Sequence, residues 1–534
     1  MRKLRRKTAA PRQSLLPGYS RSVWVAIWIF LILDLIVNLI WMYTIPMAKA
    51  PDEEFRIILS DSIVANGALP NAWDEAVRIH GWGFSYALRP MLVNMIGALN
   101  LWVVSLFTQD LWAQVLAVRL VSVLSAGAMV YFCFRIAEWL EWKPCWAFML
   151  GCICAFTPQI TFLAGYHNND MFCLACVTAT LYCWIRGMRE RWTWPDCFRL
   201  AISLGLLILS YYNAYSYVLF SIPLFFMTIF RRHMSREQRM EAFQKTGVMI
   251  LVTFLIAGWW FIRNIILYDG DMLGSQTRLV MGEKYAIPSL KPSAVFKPIR
   301  EGISYFELWS YAHGDPFNWA KKTFMSTIAL LGQMDFLFPA QVYDWAAWIL
   351  RAGSGLFVIQ YLVWLVSQIK NRFKNSQVNQ QMLFYLFAFL SAVIVIALAL
   401  YYSWTDDFQP QGRYIMPAFT TFALIMTAGF RSIFVLLSRL IKNTTVNSVL
   451  GWLFCLPVCL SMLSLQGYAY WRIYPSYMSY PRTGRTYQEH RETYGPPSTR
   501  SDSDARIDQE RAEKAKAREA SLHAASQASS SSGQ

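Results

Sequence analysis

Residues 24–55 read WVAIWIFLILDLIVNLIWMYTIPMAKAPDEEF, a long apolar run followed closely by three consecutive acids. As an α-helix, residues 24–43 extend about 30 Å, which matches the hydrocarbon thickness of a bilayer. Carboxylates avoid hydrocarbon, so Asp52, Glu53 and Glu54 are expected at or just beyond the far membrane face. The stretch therefore predicts a membrane-spanning helix that delivers a cluster of acids to one side of the membrane.

The composition of the whole chain points to the same class of protein. Of its 534 residues, 55% are hydrophobic and only 15% are charged, whereas a soluble protein carries about 25% charged residues. The formal charge of +16 does not indicate a nucleic-acid partner, because much of the basic excess lies in short clusters between apolar runs. Such clusters set membrane topology. The sequence is therefore that of an all-α polytopic membrane protein.

The apolar runs predict about eleven membrane crossings. Their approximate bounds are 22–44, 116–138, 144–164, 171–188, 198–211, 213–230, 246–266, 345–369, 381–402, 413–437 and 447–468. Residues 91–107 are also apolar, but we predict that they form an interfacial or re-entrant segment. The basic clusters at 186–191, 231–245, 370–374 and 439–442 share the cytoplasmic side with the N-terminus only if 91–107 does not cross.

This topology places residues 1–21 on the inner side of a cytoplasmic (inner) membrane. Four segments then face outward, namely 45–115, 165–170, 267–344 and 403–412. Residues 22–470 are predicted to form one transmembrane domain, and 471–534 a polar, partly disordered tail. The first apolar run is too long for a cleavable signal peptide, so we expect it to remain as a helix.

The ten cysteines all lie in or beside apolar runs. A buried thiol behaves as a small hydrophobic group, and the Cys-x-Cys and Cys-x-x-Cys spacings here lack the second ligand pair of a zinc site. The cysteines therefore predict neither a metal site nor a disulfide. They are Cys133, Cys145, Cys152, Cys154, Cys173, Cys176, Cys183, Cys197, Cys455 and Cys459.

The three acids at 52–54 begin a stretch in which apolar residues recur at helical spacing, which predicts a helix along the membrane surface. Negative charge in the first turn complements the helix dipole, so these acids have a structural interpretation. The alternative is catalytic: a carboxylate at the outer face can act as a general base towards an acceptor hydroxyl.

Two later outer segments carry further polar groups. In residues 166–170, Asp170 either caps the helix that follows or, with His167, ligates a divalent cation or holds a partner side chain. Arg413 begins a crossing at its outer end, where it either snorkels to the interface or binds a phosphate through its planar guanidinium. Acids, polar groups and a cation on the same side of the membrane predict a functional site at the outer face.

The order of these motifs resembles that of the GT-C superfamily of integral-membrane glycosyltransferases. The matching residues are Pro51-Asp52-Glu53, Asn169-Asp170 and Gln411-Gly412-Arg413-Tyr414, which look most like a bacterial branch of that superfamily. The resemblance covers about residues 20–470 and excludes the tail. It implies a GT-C-like fold and an enzyme that transfers a hexose or pentose from a polyprenyl-phosphate-linked donor to a glycan, lipid or protein acceptor in the cell envelope.

The resemblance also implies roles for particular residues. Asp52 is the first candidate for the base and Glu53 the second, and the anomeric centre would invert in a single displacement. Asp170 would orient the site or bind a metal, with His167 as a possible second ligand, so dependence on a divalent cation stays open. Substrate contacts are implied for a larger set, in which Arg413 would stabilise the departing phosphate: His80, His167, Asn169, Asp170, Arg413 and Tyr414. The branch often has a histidine soon after Pro-Asp-Glu, which is missing here, so His80 and His167 become the nearest substitutes.

Three other functions are compatible with an outer-face site. A transporter or lipid flippase would show mid-membrane charges and an inverted repeat, but such charges are scarce and no repeat is evident. A polymerase or ligase of undecaprenyl-diphosphate-linked glycans would depend on several outer arginines, such as Arg278 and Arg413. A non-enzymatic subunit that had kept its acids would give the same sequence pattern.

Overall fold

The structure, a computed structural model, describes residues 18–230, 234–373, 376–441 and 443–495. Within those ranges the backbone forms seventeen α-helices and no strand, which confirms the all-α prediction. The helices are α1 (Arg21–Thr44), α2 (Glu53–Asn66), α3 (Leu92–Ser105), α4 (Leu111–Trp139), α5 (Pro144–Phe156), α6 (Pro158–Ala164), α7 (Asn169–Arg189), α8 (Trp194–Ile208), α9 (Tyr215–Ile229), α10 (Arg236–Leu267), α11 (Ser275–Tyr285), α12 (Trp319–Ile328), α13 (Ala340–Lys370), α14 (Ser376–Thr405), α15 (Phe419–Leu440), α16 (Thr444–Met478) and α17 (Arg485–Tyr494).

Some predicted features lie outside the described residues. These are the basic segment up to residue 17, the tail beyond residue 495, and Arg231, Arg232, Lys374 and Lys442 of the basic clusters.

Nine of the described helices are long and apolar enough to cross a membrane, which confirms the polytopic class. They correspond to predicted crossings and are α1, α4, α7, α9 together with the 3₁₀ turn that precedes it (Tyr212–Ile229), α10, α13, α14, α15 and α16. The pair α5 and α6, bent by 60°, is long and apolar enough together to form either a tenth, broken crossing or a re-entrant loop. The bend falls at Pro158, which has no backbone N–H to continue the helix.

Two apolar helices are shorter than the hydrocarbon core. α8 has 15 residues and α3 has 14, so they extend about 22 and 21 Å against a core of about 30 Å. α3 lies within the stretch 91–107 that we predicted to be interfacial or re-entrant, and it packs against α2 and α4.

The protein core is built around α4 and α7, which pack against each other. α7 is enclosed on most sides: 83% of the residues in its most apolar stretch are buried within the protein. The same fraction is 17% for α1 and 11% for α13. Exposed Trp28, Ile32 and Leu33 on α1 therefore form a lipid-facing surface, as expected for a helix at the periphery of a membrane domain.

A buried ion pair joins four segments at the end of this core where α1 finishes and α2 begins. Arg119 of α4 donates from Nε and Nη2 to the two carboxylate oxygens of Glu53, at 2.8 and 2.5 Å, and both side chains are fully buried. Its Nη1 donates to the carbonyl oxygens of Met42 and Ile45, each at 2.7 Å. Glu53 also accepts the backbone N–H of His167 at 2.7 Å. One guanidinium thus links the end of α1, the start of α2 and the turn before α7.

The C-terminal part of the domain extends further than the sequence predicted. The predicted boundary at residue 470 falls inside α16, and α17 packs against α2. Tyr487 donates its hydroxyl to Asp61 at 2.8 Å, and Arg491 pairs with Asp61 at 3.4 Å and donates to Gln114 at 2.5 Å. Hydropathy missed this docking because α17 is polar and is held by buried hydrogen bonds rather than by an apolar face.

We expect Arg119→Met to lower the free energy of unfolding by about 3–5 kcal/mol, because Glu53 would be left charged and buried without a partner. Arg485→Met is the control, since Arg485 pairs with Glu489 on an exposed face and should produce no measurable change. Thermal unfolding of the detergent-purified variants checks this. Equal melting curves for the two variants would show that the buried pair does not anchor the fold.

Candidate functional site

Asp52 lies at the N-cap position of α2 in a left-handed backbone conformation, with φ 60° and ψ 4°. A non-glycine residue adopts this conformation at a cost of about 1–2 kcal/mol, so it persists where surrounding structure imposes it. The carboxylate makes no capping hydrogen bond to α2. It pairs instead with Arg413, whose Nη1 lies 2.6 Å from Asp52 Oδ2.

Arg413 is held by a 3₁₀ turn, Gly412–Ala418, that leads into α15. The turn packs so closely on the end of α12 that a Cβ atom at Gly412 would lie 2.3 Å from the backbone nitrogen of Thr327. The glycine of the Gln-Gly-Arg-Tyr motif therefore permits the approach that positions Arg413. The guanidinium also lies over the ring of Tyr414, with 5.2 Å from Cζ to the ring centroid.

The Asp52–Arg413 pair lines a cavity that opens between α2, the 3₁₀ turns at Tyr86–Leu88 and Gly412–Ala418, α11 and the end of α14. Its described lining carries four acids and four arginines together with many aromatic side chains. The charged residues are Asp52, Asp170, Asp406, Asp407, Arg56, Arg89, Arg278 and Arg413. The wall therefore offers both proton acceptors and cations to a polar ligand.

The cavity brings together five of the eight site residues predicted from the sequence. These are Asp52, Asn169, Asp170, Arg413 and Tyr414. Their convergence follows from helix ends meeting: the turn before α2, the first turn of α7 and the turn before α15 all lie at this end of the bundle.

Glu53, His167 and His80 do not line the cavity. Glu53 follows Asp52 directly but points into the protein, where Arg119 engages both of its oxygens. The His167 ring is buried, with its Nε2 3.4 Å from Asn94 Nδ2. His80 is exposed on a loop. Neither histidine therefore replaces the one missing after Pro-Asp-Glu.

The two interpretations of Asp170 are separated by the local geometry of α7. The N-cap is Asn168, whose Oδ1 accepts the Met171 backbone N–H at 2.8 Å. Asp170 is thus not needed as the cap, and its carboxylate faces the cavity. Asn169 lies beside it and donates from Nδ2 to the carbonyl oxygen of Ser210 at 3.2 Å.

No three His, Cys, Asp or Glu side chains in the described part of the chain are arranged to ligate a metal ion. His167 and Asp170, the pair considered for this role, differ in that only Asp170 reaches the cavity. Burial, reinforced by the charges of Arg56 and Arg119, lowers the pKa of His167 to about 3, so its imidazole is neutral at physiological pH. Among the described residues, His167 therefore does not join Asp170 as a second ligand for the divalent cation considered from the sequence.

The charge state of Asp52 is set by opposing effects. Burial raises the pKa of this carboxyl, but the charges of Arg413 and Arg56 and hydrogen bonds from Arg413 and Tyr86 outweigh it, so the pKa is lowered. Asp52 is therefore an ionised carboxylate at neutral pH and loses its charge only in acid. It is a proton acceptor that is available in the resting protein.

Several lining residues were not predicted from the sequence. Arg56 lies one helical turn after Asp52, a spacing that in retrospect places both on one face of α2. Arg89, Tyr86 and Tyr402 carry no comparable sequence signal, since each is an ordinary residue of a loop or a helix end until the fold brings them together.

The sequence matches the family described as "Predicted membrane protein (DUF2142)" over residues 80–421. No curated protein matches it. The family match includes Asp170 and Arg413 but begins after Asp52.

Solved structures resemble the fold at low sequence identity. The oligosaccharyltransferase of Archaeoglobus fulgidus in the apo form has a TM-score of 0.50 and 13% identity, covering 92% of this chain and 60% of that chain. The A. fulgidus oligosaccharyltransferase AglB with an inhibitory peptide and a dolichol-phosphate has a TM-score of 0.49 and 11% identity, covering 89% and 58%.

ArnT from Cupriavidus metallidurans bound to undecaprenyl phosphate has a TM-score of 0.44 and 11% identity, covering 86% of this chain and 74% of that chain. The chain thus spans about three fifths of the length of the archaeal proteins. The likeness to the apo oligosaccharyltransferase supports the predicted GT-C-like fold.

We expect Arg413→Gln to raise the pKa of Asp52, because burial would then be opposed by fewer positive charges. Carbodiimides modify protonated carboxyls, so modification of Asp52 should extend to higher pH in the variant than in the wild type. Mass spectrometry of the peptide containing residues 52–54 measures this, with Glu54 as an internal control. An unchanged pH midpoint at Asp52 would show that Arg413 does not set its charge.

Proposed function

We propose that this chain, which belongs to the DUF2142 family of predicted membrane proteins, transfers a sugar from a polyprenyl-phosphate-linked donor to an acceptor hydroxyl. The observation that carries the proposal is the ionised Asp52 carboxylate, held by Arg413 in a cavity that also contains Asp170. A carboxylate so placed is suited to general-base catalysis. The GT-C-like fold supports the choice of glycosyl transfer over other reactions that use such a base.

The reaction would proceed as a single displacement. Asp52 accepts the proton of the acceptor hydroxyl as its oxygen attacks the anomeric carbon. The bond from that carbon to the phosphate oxygen breaks, and its electron pair leaves with the phosphate. The products are the glycoside with inverted configuration and the polyprenyl phosphate, which retains its isoprenoid tail in the bilayer.

The neighbouring residues support this step in different ways. Arg413 and Tyr86 hold the Asp52 carboxylate in place, and Glu53 positions the start of α2 through Arg119. Asp170 and Asn169 are suited to bind sugar hydroxyls, because a carboxylate accepts and an amide both accepts and donates hydrogen bonds. These interactions orient the two reactants, which supplies much of the rate enhancement in group transfer.

The acceptor in this proposal is a glycan, lipid or protein at the outer face of the cytoplasmic membrane. The support for that orientation is the positive-inside distribution of the basic clusters around 186–191 and 370–374. The donor headgroup would enter from the membrane and meet the acceptor in the cavity. In this arrangement membrane lipid surrounds the protein, and the bilayer also holds the lipid-linked donor.

We expect Asp52→Asn to reduce transfer of a radiolabelled sugar from its polyprenyl phosphate carrier by a hundred- to ten-thousand-fold, because the amide cannot accept the proton. Glu54→Gln is the matched control: Glu54 follows two residues later, does not line the cavity and should leave the rate within about twofold. Purified protein in lipid nanodiscs is the assay material. Full activity of Asp52→Asn would remove this carboxylate from the mechanism.

A cysteine at Ala294, which is exposed in the loop between α11 and α12, should react with a membrane-impermeant maleimide in intact cells. A cysteine at Asn371, exposed beyond the end of α13, should react only after the membrane is permeabilised. The ten native cysteines are all buried, so background labelling should be low. The reverse pattern would invert the proposed orientation.

A further inference from the structure

Arg89 differs from the other arginines of the cavity in the partners it has. Its Nη2 lies 3.5 Å from the hydroxyl of Tyr402, at the limit of a hydrogen bond. Among the described residues, no carboxylate lies within ion-pair distance of its guanidinium. Four tyrosines that line the cavity lie around it, namely Tyr86, Tyr211, Tyr212 and Tyr402.

Two of the remaining cavity arginines are paired with carboxylates, and the third, Arg56, lies against an aromatic ring. Arg413 pairs with Asp52, and Arg278 donates to both oxygens of Asp406, each at 2.6 Å. Arg56 stacks on the ring of Tyr86, with 4.8 Å from Cζ to the ring centroid, and adds to the field at Asp52. Among the described residues, Arg89 is thus the cavity arginine that neither pairs with a carboxylate nor contributes to the charge state of Asp52.

A guanidinium withdrawn from bulk water without a counter-charge is unfavourable, and a bound anion removes that penalty. Arginine presents several N–H donors in a plane, and tyrosine hydroxyls add further donors around an anion's oxygens. This arrangement fits a phosphate ester, which carries negative charge on more than one oxygen. An uncharged sugar would satisfy the hydroxyls but leave the charge unmatched.

The geometry of an inverting displacement indicates that the leaving phosphate binds at a different place in the cavity from Arg413. In an inverting reaction the incoming oxygen and the leaving oxygen lie on opposite faces of the anomeric carbon. Asp52 must contact the incoming hydroxyl, and Arg413 lies 2.6 Å from Asp52, so Arg413 is on the incoming side. The leaving phosphate needs a cation elsewhere in the cavity.

We propose that Arg89, with Tyr402, binds the phosphate of a lipid-linked sugar donor and stabilises that phosphate as it leaves. The assignment rests on the proposed function. The sequence motifs predicted that Arg413 binds the phosphate. The present proposal assigns phosphate binding to Arg89 instead, which lies outside all three motifs. During transfer the phosphate changes from a singly charged diester to a monoester that gains negative charge, and an uncompensated guanidinium stabilises that change most.

The test measures binding rather than turnover. Undecaprenyl phosphate is titrated onto the full-length protein in nanodiscs, with uncharged undecaprenol and inorganic phosphate as separate probes. We expect Arg89→Gln to weaken undecaprenyl phosphate binding at least tenfold and Tyr402→Phe to weaken it severalfold, with undecaprenol binding unchanged in both. Arg300→Gln, an exposed outer-loop arginine, is the matched control and should bind as the wild type does. Size-exclusion profiles and melting temperatures verify folding, and Tyr402→Phe removes only one hydroxyl.

Wild-type affinity in both Arg89→Gln and Tyr402→Phe would overturn the assignment, as would a larger loss in Arg413→Gln than in Arg89→Gln. Binding of inorganic phosphate that depends on Arg89, without binding of undecaprenyl phosphate, would overturn the lipid source. If sugar transfer depends on Asp52 while Arg89→Gln binds normally, the phosphate assignment fails and the proposed function stands. If neither the wild type nor the variants bind undecaprenyl phosphate or transfer sugar, both fail.

Discussion

The architecture of the site depends on one buried ion pair. Arg119 donates to both oxygens of Glu53 and to two carbonyl oxygens at the end of α1, while Glu53 accepts an N–H from the turn before α7. A buried charge pair is tolerated where its hydrogen-bonding capacity is filled, as it is here. The pair fixes how the chain leaves the membrane and re-enters a helix. That geometry places Asp52 in its left-handed conformation, with the carboxylate turned towards the cavity.

The arginines of the cavity have different electrostatic roles. Arg413 and Arg278 neutralise carboxylates, so their charges are already used in the resting protein. The partner of Asp52 keeps it ionised but also makes it a weaker base. A weak base can still assist, because an acceptor hydroxyl becomes far more acidic as it bonds to the anomeric carbon. The unmatched charge of Arg89 leaves the cavity prepared for an anion.

The site also depends on residues outside the family match. Asp52 precedes the matched residues 80–421, and α17 follows them. In the fold, however, α17 contacts α2, the helix that begins next to Asp52. Asp61 is the centre of that contact, and burial raises its pKa to about 6 against the opposing effects of Arg491 and Tyr487. The docked C-terminal helix thus belongs to the support of the cavity, although the pattern of its sequence resembles that of a solvent-exposed tail.

The sequence by itself determined the class of fold, because apolar runs of bilayer length have few other stable solutions in water or lipid. It also determined that acids and Arg413 lie at helix ends, where polar groups escape hydrocarbon. Only the tertiary structure separated Asp52 from its neighbour Glu53, since a single left-handed residue and the position of Arg119 send the two carboxylates in opposite directions. It alone revealed Arg89 too, because the absence of a counter-charge is a property of the surrounding side chains and not of the residue.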